Sequence, residues 1–222
     1  MEVLRYKELD YVLRMPKHYE QSEKYPLVIY THGAGGRGRE IQKIVEHPFF
    51  IETEPFLTNA VSVAPQCYAN AWFDIFEQLQ DFIKFMIAQP YVDASRVYLT
   101  GASMGGYTTW QMAMTHPEWF AAIVPICGGG MYWNAGRLKN VPVWAFHGKL
   151  DPTVLVEESE KMVNAVNKRG GCAKLTVYPE NKHDAWNDTY SNPAVYEWML
   201  SHTNKNAEQL VNEYSDNIKE FG

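Results

Sequence analysis

Arg96-Val97-Tyr98-Leu99-Thr100-Gly101-Ala102-Ser103-Met104-Gly105 carries an apolar run directly into a glycine-flanked serine, so the serine stands where a buried strand turns sharply into a helix. In that turn the serine takes a strained backbone conformation, and a Cβ at either flanking glycine would collide with the neighbouring strand or helix. This is the pattern of a nucleophile elbow, which lifts a hydroxyl clear of the sheet. The Gly-x-Ser-x-Gly string is short and recurs in ordinary turns, so its surroundings decide its meaning.

Outward from the elbow, similar apolar runs recur at Leu27–Tyr30, Ala60–Ala64, Ala121–Ile126, Val141–Phe146 and Leu175–Tyr178. Unbroken runs of this kind suit strands buried on both faces of a parallel sheet. Between them, Ile75–Ala88 and Met104–His116 repeat apolar residues every three or four positions, the helical period. Asp74 is the expected N-cap of the first, with Phe76, Leu79, Phe82, Ile83 and Met86 on one face. Val154–Lys168 predicts a further helix closed by Gly170-Gly171, and Asn206–Phe221 a terminal docked helix with Leu210, Val211, Tyr214 and Ile218 on one stripe. Val3–Tyr6 and Tyr11–Met15 alternate and predict an antiparallel pair at the sheet edge. The expected architecture is α/β: a mostly parallel central sheet with helices on both faces and an antiparallel N-terminal edge, as a single domain over 1–222. The segment between Cys127 and Val141 is too short to build a helical cap, which predicts an open pocket.

Composition narrows the function classes. The chain has 222 residues, is 46% hydrophobic and carries a net charge of −6, which fits a globular protein and offers no basic stripe for nucleic acid. Cys67, Cys127 and Cys172 stand far apart with no CxxC pair, so they read as reduced thiols, mostly buried, rather than a zinc site or disulfide framework. Met1–Asp10 has no apolar h-region, and no run approaches the ~18 apolar residues of a membrane span. A cytoplasmic location is expected.

A serine hydroxyl is a poor nucleophile at neutral pH, so a base must take its proton and a carboxylate must orient that base. With the serine on such an elbow, the acid and then the histidine follow it in the chain, each on a loop after a strand. His183 sits in Pro179-Glu180-Asn181-Lys182-His183-Asp184, directly after Leu175–Tyr178, whereas His202 falls in a helical stretch. Asp151 stands three residues beyond His147-Gly148 at another strand end, while Glu157, Glu158 and Glu160 belong to the following helix and Glu118 comes too early. Ser103, His183 and Asp151 are therefore the expected catalytic residues. Oxyanion donors are expected at the backbone amides of Met104 and Ala34, with Gly33 in reserve, because the loop His32-Gly33-Ala34-Gly35-Gly36 lets its N–H groups enter the cleft. That loop lacks the lysine of GxxxxGK[ST] and the spacing of GxGxxG, which disfavours a nucleotide. His32 and His147 are expected to brace their loops. Trp72 and Trp186 are expected to line the substrate site, with Phe73, Tyr132 and Trp133 on nearby loops.

These motifs resemble the α/β-hydrolase superfamily, and within it the small serine esterases related to dienelactone hydrolase and to the catalytic domain of prolyl oligopeptidases. The resemblance is closest to the cap-less group described as predicted peptidases or phospholipase/carboxylesterases. It is carried by Tyr30 to Gly38, Ala64-Pro65-Gln66-Cys67, Trp72, the elbow with Met104-Gly105-Gly106, His147-Gly148 with Asp151, and His183 with Trp186. Many relatives carry Gly-Glu-Arg-Gly where this chain has Gly35-Gly36-Arg37-Gly38, and dienelactone hydrolases proper use cysteine where this chain has Ser103. The resemblance implies an α/β-hydrolase fold and a serine carboxylic ester hydrolase acting without metal or organic cofactor. Its small-molecule substrates would be short acyl, acetyl or hydroxycinnamoyl esters, including carbohydrate-linked ones. Alternatives on the same fold are a serine peptidase, a lysophospholipase or thioesterase, and a non-catalytic ligand receptor.

Overall fold

The computed structural model describes residues 1–205 and 207. Eight strands form one sheet: β1 (Glu2–Tyr6), β2 (Leu9–Arg14), β3 (Tyr25–Thr31), β4 (Val61–Pro65), β5 (Val92–Ala102), β6 (Ala122–Ile126), β7 (Val143–Gly148) and β8 (Ala173–Tyr178), in the order β1-β2-β4-β3-β5-β6-β7-β8. β2 pairs antiparallel with β1 and β4, and every other pairing is parallel. The helices are α1 (Gln42–Val45), α2 (Pro48–Glu52), α3 (Phe76–Ile87), α4 (Met104–Thr115), α5 (Val156–Lys168), α6 (Trp186–Tyr190) and α7 (Pro193–Leu200).

The unbroken apolar runs make sense because the sheet is covered on both faces. Along β3, Leu27 and Ile29 join one core with Leu79, Phe82, Trp110 and Met162 from α3, α4 and α5. Val28 and Tyr30 join the other, with Ile44, Phe49, Tyr190 and Val195 from α1, α2, α6 and α7. Strand side chains alternate between faces, so neither face of β3 is free for polar residues. Fully burying each Leu or Ile contributes about 1.5–3 kcal/mol.

Three local expectations are corrected. Asp74 does not cap α3: it lies in a 3₁₀ turn, Trp72–Ile75, and its carboxylate accepts from the Ala71 amide at 2.9 Å. Val154 stays outside α5, because its amide is held by Asp151 and its carbonyl by His147. His202 lies beyond α7 rather than within a helix, its Nδ1 bonded to the Trp198 carbonyl. Of the two glycines after α5, Gly170 alone has positive φ, +80°. The helix expected over 206–221 lies outside the described residues, Ala207 aside. From β6 to β7 the chain makes only the 3₁₀ segment Tyr132–Leu138, with no cap among the described residues.

The chain steps from β3 outward to β4 and then returns to place β5 on the other flank of β3. At such a switch point the loops after two adjacent parallel strands diverge and leave a crevice at their carboxyl ends. The 32–36 loop follows β3 and Ser103 follows β5. Beside this crevice α4 approaches β3 closely: a Cβ on Gly105 would lie 1.8 Å from the Thr31 carbonyl oxygen. Gly105→Ala is therefore expected to destabilise the protein by about 3 kcal/mol or more, a fall of roughly 6–12 °C in Tm. Gly35→Ala, whose Cβ meets nothing within 4 Å, leaves Tm nearly unchanged. Thermal unfolding followed by circular dichroism compares the two, and equal melting temperatures would contradict the packing.

Candidate active site

Ser103 has φ 57° and ψ −118°, one of three non-glycine residues with positive φ among those described. Such a backbone costs on the order of 1–3 kcal/mol and persists only when its surroundings over-determine it. Here they do. The Ser103 amide donates to the Ile126 carbonyl at 2.9 Å, its carbonyl accepts from Tyr107 as α4 begins, and Gly101 and Gly105 admit Thr31 at distances no side chain would allow.

His183, on the loop after β8, lies between two partners. Its Nε2 is 2.7 Å from Ser103 Oγ and its Nδ1 is 2.6 Å from Asp151 Oδ2. An ionised carboxylate only accepts, so Nδ1 carries the proton and Nε2 offers its lone pair to the serine hydroxyl. The Asp151 loop is tied to the His183 loop by Lys149 N–H to Tyr178 O at 2.8 Å and Leu150 N–H to Asn181 O at 2.9 Å. Asp151 Oδ1 accepts from the amides of Thr153 and Val154, both at 2.9 Å. Burial pushes the Asp151 pKa up, but the His183 bond and those two amides outweigh it and hold the carboxyl below its ordinary value. The carboxylate is therefore ionised and its orientation fixed.

His147 sits behind it, fully buried, with Nε2 2.8 Å from the Val154 carbonyl and 3.4 Å from Asp151 Oδ2, and Nδ1 2.7 Å from Ser159 Oγ. Burial, first of all, lowers its pKa below the ordinary histidine value. Cys127, His147 and Asp151 bring ligand-type atoms within 4.8 Å of one another. They do not suit a cation: both imidazole nitrogens and both carboxylate oxygens are already engaged, and burial pushes the Cys127 thiol up to about 12.

The 32–36 loop lies against the elbow, since a Cβ on Gly33 would be 3.2 Å from the Ala102 carbonyl and 3.4 Å from Ser103 Cβ. Ala34–Gly36 form a 3₁₀ turn whose own bonds start at the Gly36 amide, which leaves the Ala34 amide outside them. Met104 opens α4, where a backbone N–H has no intrahelical acceptor. His32 braces the loop as expected: its Nδ1 bonds Gly33 O at 2.6 Å and its Nε2 accepts from the Cys67 amide at 2.9 Å. Burial lowers its pKa to about 4, so it stays neutral.

A cavity of about 390 Å³ opens beside Ser103, walled by the 33–36 loop, Thr153, His183 and Trp186, with Tyr30, Lys43 and His47 completing it. Trp186 lines this cavity, its ring edge-on to His183 at 5.3 Å. Trp72 is not. It is fully buried against His32, ring centroids 4.9 Å apart, and its Nε1 donates to the His32 carbonyl at 3.0 Å, so it supports the loop from beneath and lines no cleft. Phe73, Tyr132 and Trp133 are exposed and are not part of the cavity wall. Tyr30, Lys43, His47 and Thr153 were not anticipated. His47-Pro48 carries a signal for its turn, a polar residue followed by proline at the first helical position.

Comparison with known proteins agrees with this fold. The description "Dienelactone hydrolase family" matches residues 57–220. The chain is similar to the crystal structure of a thermostable esterase, with TM-score 0.81, 32% identity, and coverage of 91% of this chain and 63% of that one. It is 24% identical over 174 residues to a probable feruloyl esterase C of Aspergillus terreus, covering 76% of this chain and 64% of the relative. It is 21% identical to dipeptidyl-peptidase 5 of Porphyromonas gingivalis, covering 76% of this chain and 32% of the relative. The chain thus spans just under two thirds of the length of the first two proteins. No helix among the described residues is long and apolar enough to cross a membrane.

Trp72→Phe keeps an aromatic ring but removes the donor to His32 O. Leaving that buried carbonyl without its partner costs about 1–3 kcal/mol, which urea unfolding will read as a lower midpoint with an unchanged m-value. An unchanged midpoint would contradict the bracing role.

Proposed function

The chain belongs to the dienelactone hydrolase family, and from that premise we propose that it is a serine carboxylic ester hydrolase. The single observation that supports this most is the pair of short contacts on His183, 2.7 Å to Ser103 Oγ and 2.6 Å to Asp151 Oδ2. In this reading Ser103 Oγ attacks the ester carbonyl carbon as its proton passes to His183 Nε2. The imidazolium that forms is stabilised by Asp151 through a charge-assisted hydrogen bond. The amides of Met104 and Ala34 hold the oxyanion, where losing one such donor typically costs about 10²–10³ in kcat. His183 then gives its proton to the leaving alkoxide, which departs as the alcohol and leaves an acyl-enzyme. Water enters, His183 takes its proton, and the acid is released with Ser103 restored. Every proton that moves is accounted for by these groups, and no step calls for a cofactor.

Short acyl, acetyl or hydroxycinnamoyl esters are the substrate class. The likeness to feruloyl and thermostable esterases supports it, and so does a cavity of about 390 Å³ with an aromatic wall at Trp186. Three free cysteines, one of them exposed, suit a reducing compartment and support a cytoplasmic location. Peptide hydrolysis is the second reading, favoured by the likeness to a dipeptidyl-peptidase.

Ser103→Ala is expected to lower p-nitrophenyl acetate turnover by at least about 10³-fold, with the melting temperature kept within a few degrees. Turnover equal to wild type would refute the assignment of the nucleophile. Across acetyl, feruloyl and long-chain esters and a peptide p-nitroanilide, the acetyl or feruloyl ester should give the highest kcat/KM. A higher value on the anilide would favour the peptidase reading instead.

A further inference from the structure

The cavity beside Ser103 includes Tyr30 and His47, two polar side chains that the proposed chemistry leaves without a task. Their protons can be placed by counting. The Phe49 backbone amide donates to His47 Nδ1 at 3.1 Å, and a backbone amide can only donate, so Nδ1 presents a lone pair. The single proton of the neutral imidazole is then on Nε2, and burial keeps the ring neutral by lowering its pKa to about 4. Nε2 lies 3.0 Å from Tyr30 Oη, so His47 donates and the phenol accepts. The proton of the Tyr30 hydroxyl is left over, and among the described residues Oη has no second hydrogen-bond partner.

The ring cannot swing to find one. It is stacked on Phe49 with centroids 4.4 Å apart and 8° between planes, meets Tyr190 edge-on at 5.8 Å, and is fully buried. Burial also raises the phenol's pKa well above its ordinary value, so it remains a donor wherever the protein is folded. In register Tyr30 lies opposite Thr100, three residues before Ser103, which sets the ring beneath the serine on the cavity side of the sheet. A buried donor without an acceptor is costly, and a group that accepts from it recovers that cost on binding.

We propose that Tyr30, with its hydroxyl oriented by His47, is a specificity-determining donor at the floor of the substrate cavity. It selects esters that place an ether, hydroxyl or carbonyl oxygen in that cavity over their methylene isosteres. This rests on the ester hydrolase reading above and adds a substrate preference to it. A site built to hydrogen-bond a substrate oxygen discriminates strongly against the analogue that lacks it, because its own polar group is then left unpaired.

The test uses two matched pairs on the whole chain, wild type and Tyr30→Phe. In the acyl part, p-nitrophenyl β-methoxypropionate is compared with p-nitrophenyl pentanoate; in the alcohol part, methoxyethyl acetate with butyl acetate. Each kcat/KM is divided by the hydroxide rate of the same ester. The wild type is expected to prefer the ether member of at least one pair by about tenfold, and Tyr30→Phe to reduce that preference to within about twofold. No preference in either pair for the wild type overturns the proposal without recourse to the variant, as does a preference that survives the substitution. Wild-type protein inactive on all four esters overturns the hydrolase reading itself, a result distinct from activity without preference.

Discussion

The close passage of α4 over β3 sets the position of everything else. Gly105 meets the Thr31 carbonyl where a Cβ would stand 1.8 Å away, and Gly101 meets the Thr31 hydroxyl where a Cβ would stand 2.3 Å away. Those two approaches hold Ser103 in its positive-φ turn, above the sheet and against the loop that follows Thr31. The strain of about 1–3 kcal/mol at one residue is offset by the cores on both sheet faces, where Trp110, Met112 and Tyr98 are fully buried.

From the elbow a polar path runs inward from the cavity to buried groups. Ser103 meets His183, His183 meets Asp151, and Asp151 lies 3.4 Å from His147, which bonds Ser159; Ser159 Oγ also lies 2.9 Å from the Gly128 carbonyl. Gly128 in turn packs on Gly106 in the first turn of α4, where a Cβ on Gly128 would lie 2.5 Å from the Gly106 carbonyl carbon. The path therefore returns to the helix that carries the serine. It also sets the electrostatics. Asp151 is ionised because its oxygens are met by donors, and His147 is held neutral by burial and by the nearness of His183. A neutral His147 adds no positive charge to oppose the one that forms on His183 when it takes the serine proton.

What the sequence made legible was what depends on local pattern. Unbroken apolar runs located the six strands β3 to β8, because a strand buried on both faces must be apolar throughout, while alternation marked β1 and β2 at the edge; the elbow was readable because its glycines are dictated by contacts at that turn. Ser103, Asp151 and His183 followed from strand order. Trp72 was misplaced because nothing in its neighbours shows whether a loop indole faces a cleft or a core; its partner, the His32 carbonyl, is 40 residues away. Asp74 has the sequence of a helix cap, yet it caps a 3₁₀ turn that precedes α3. The pairing of Tyr30 with His47 depends on the path of α1 and α2, two helices of four and five residues whose periodicity is too brief to read.

The claim at the centre of this account is that Ser103 is activated by its place on His183 and Asp151. Incubation with a fluorophosphonate, followed by peptide mass spectrometry, tests it most directly, because phosphonylation requires a serine whose proton has a base to receive it. One adduct per chain on Ser103, abolished in Ser103→Ala and slowed by at least about 10²-fold in His183→Ala, is the predicted result. An unlabelled protein, or label on another residue at the same rate in all three proteins, would contradict it.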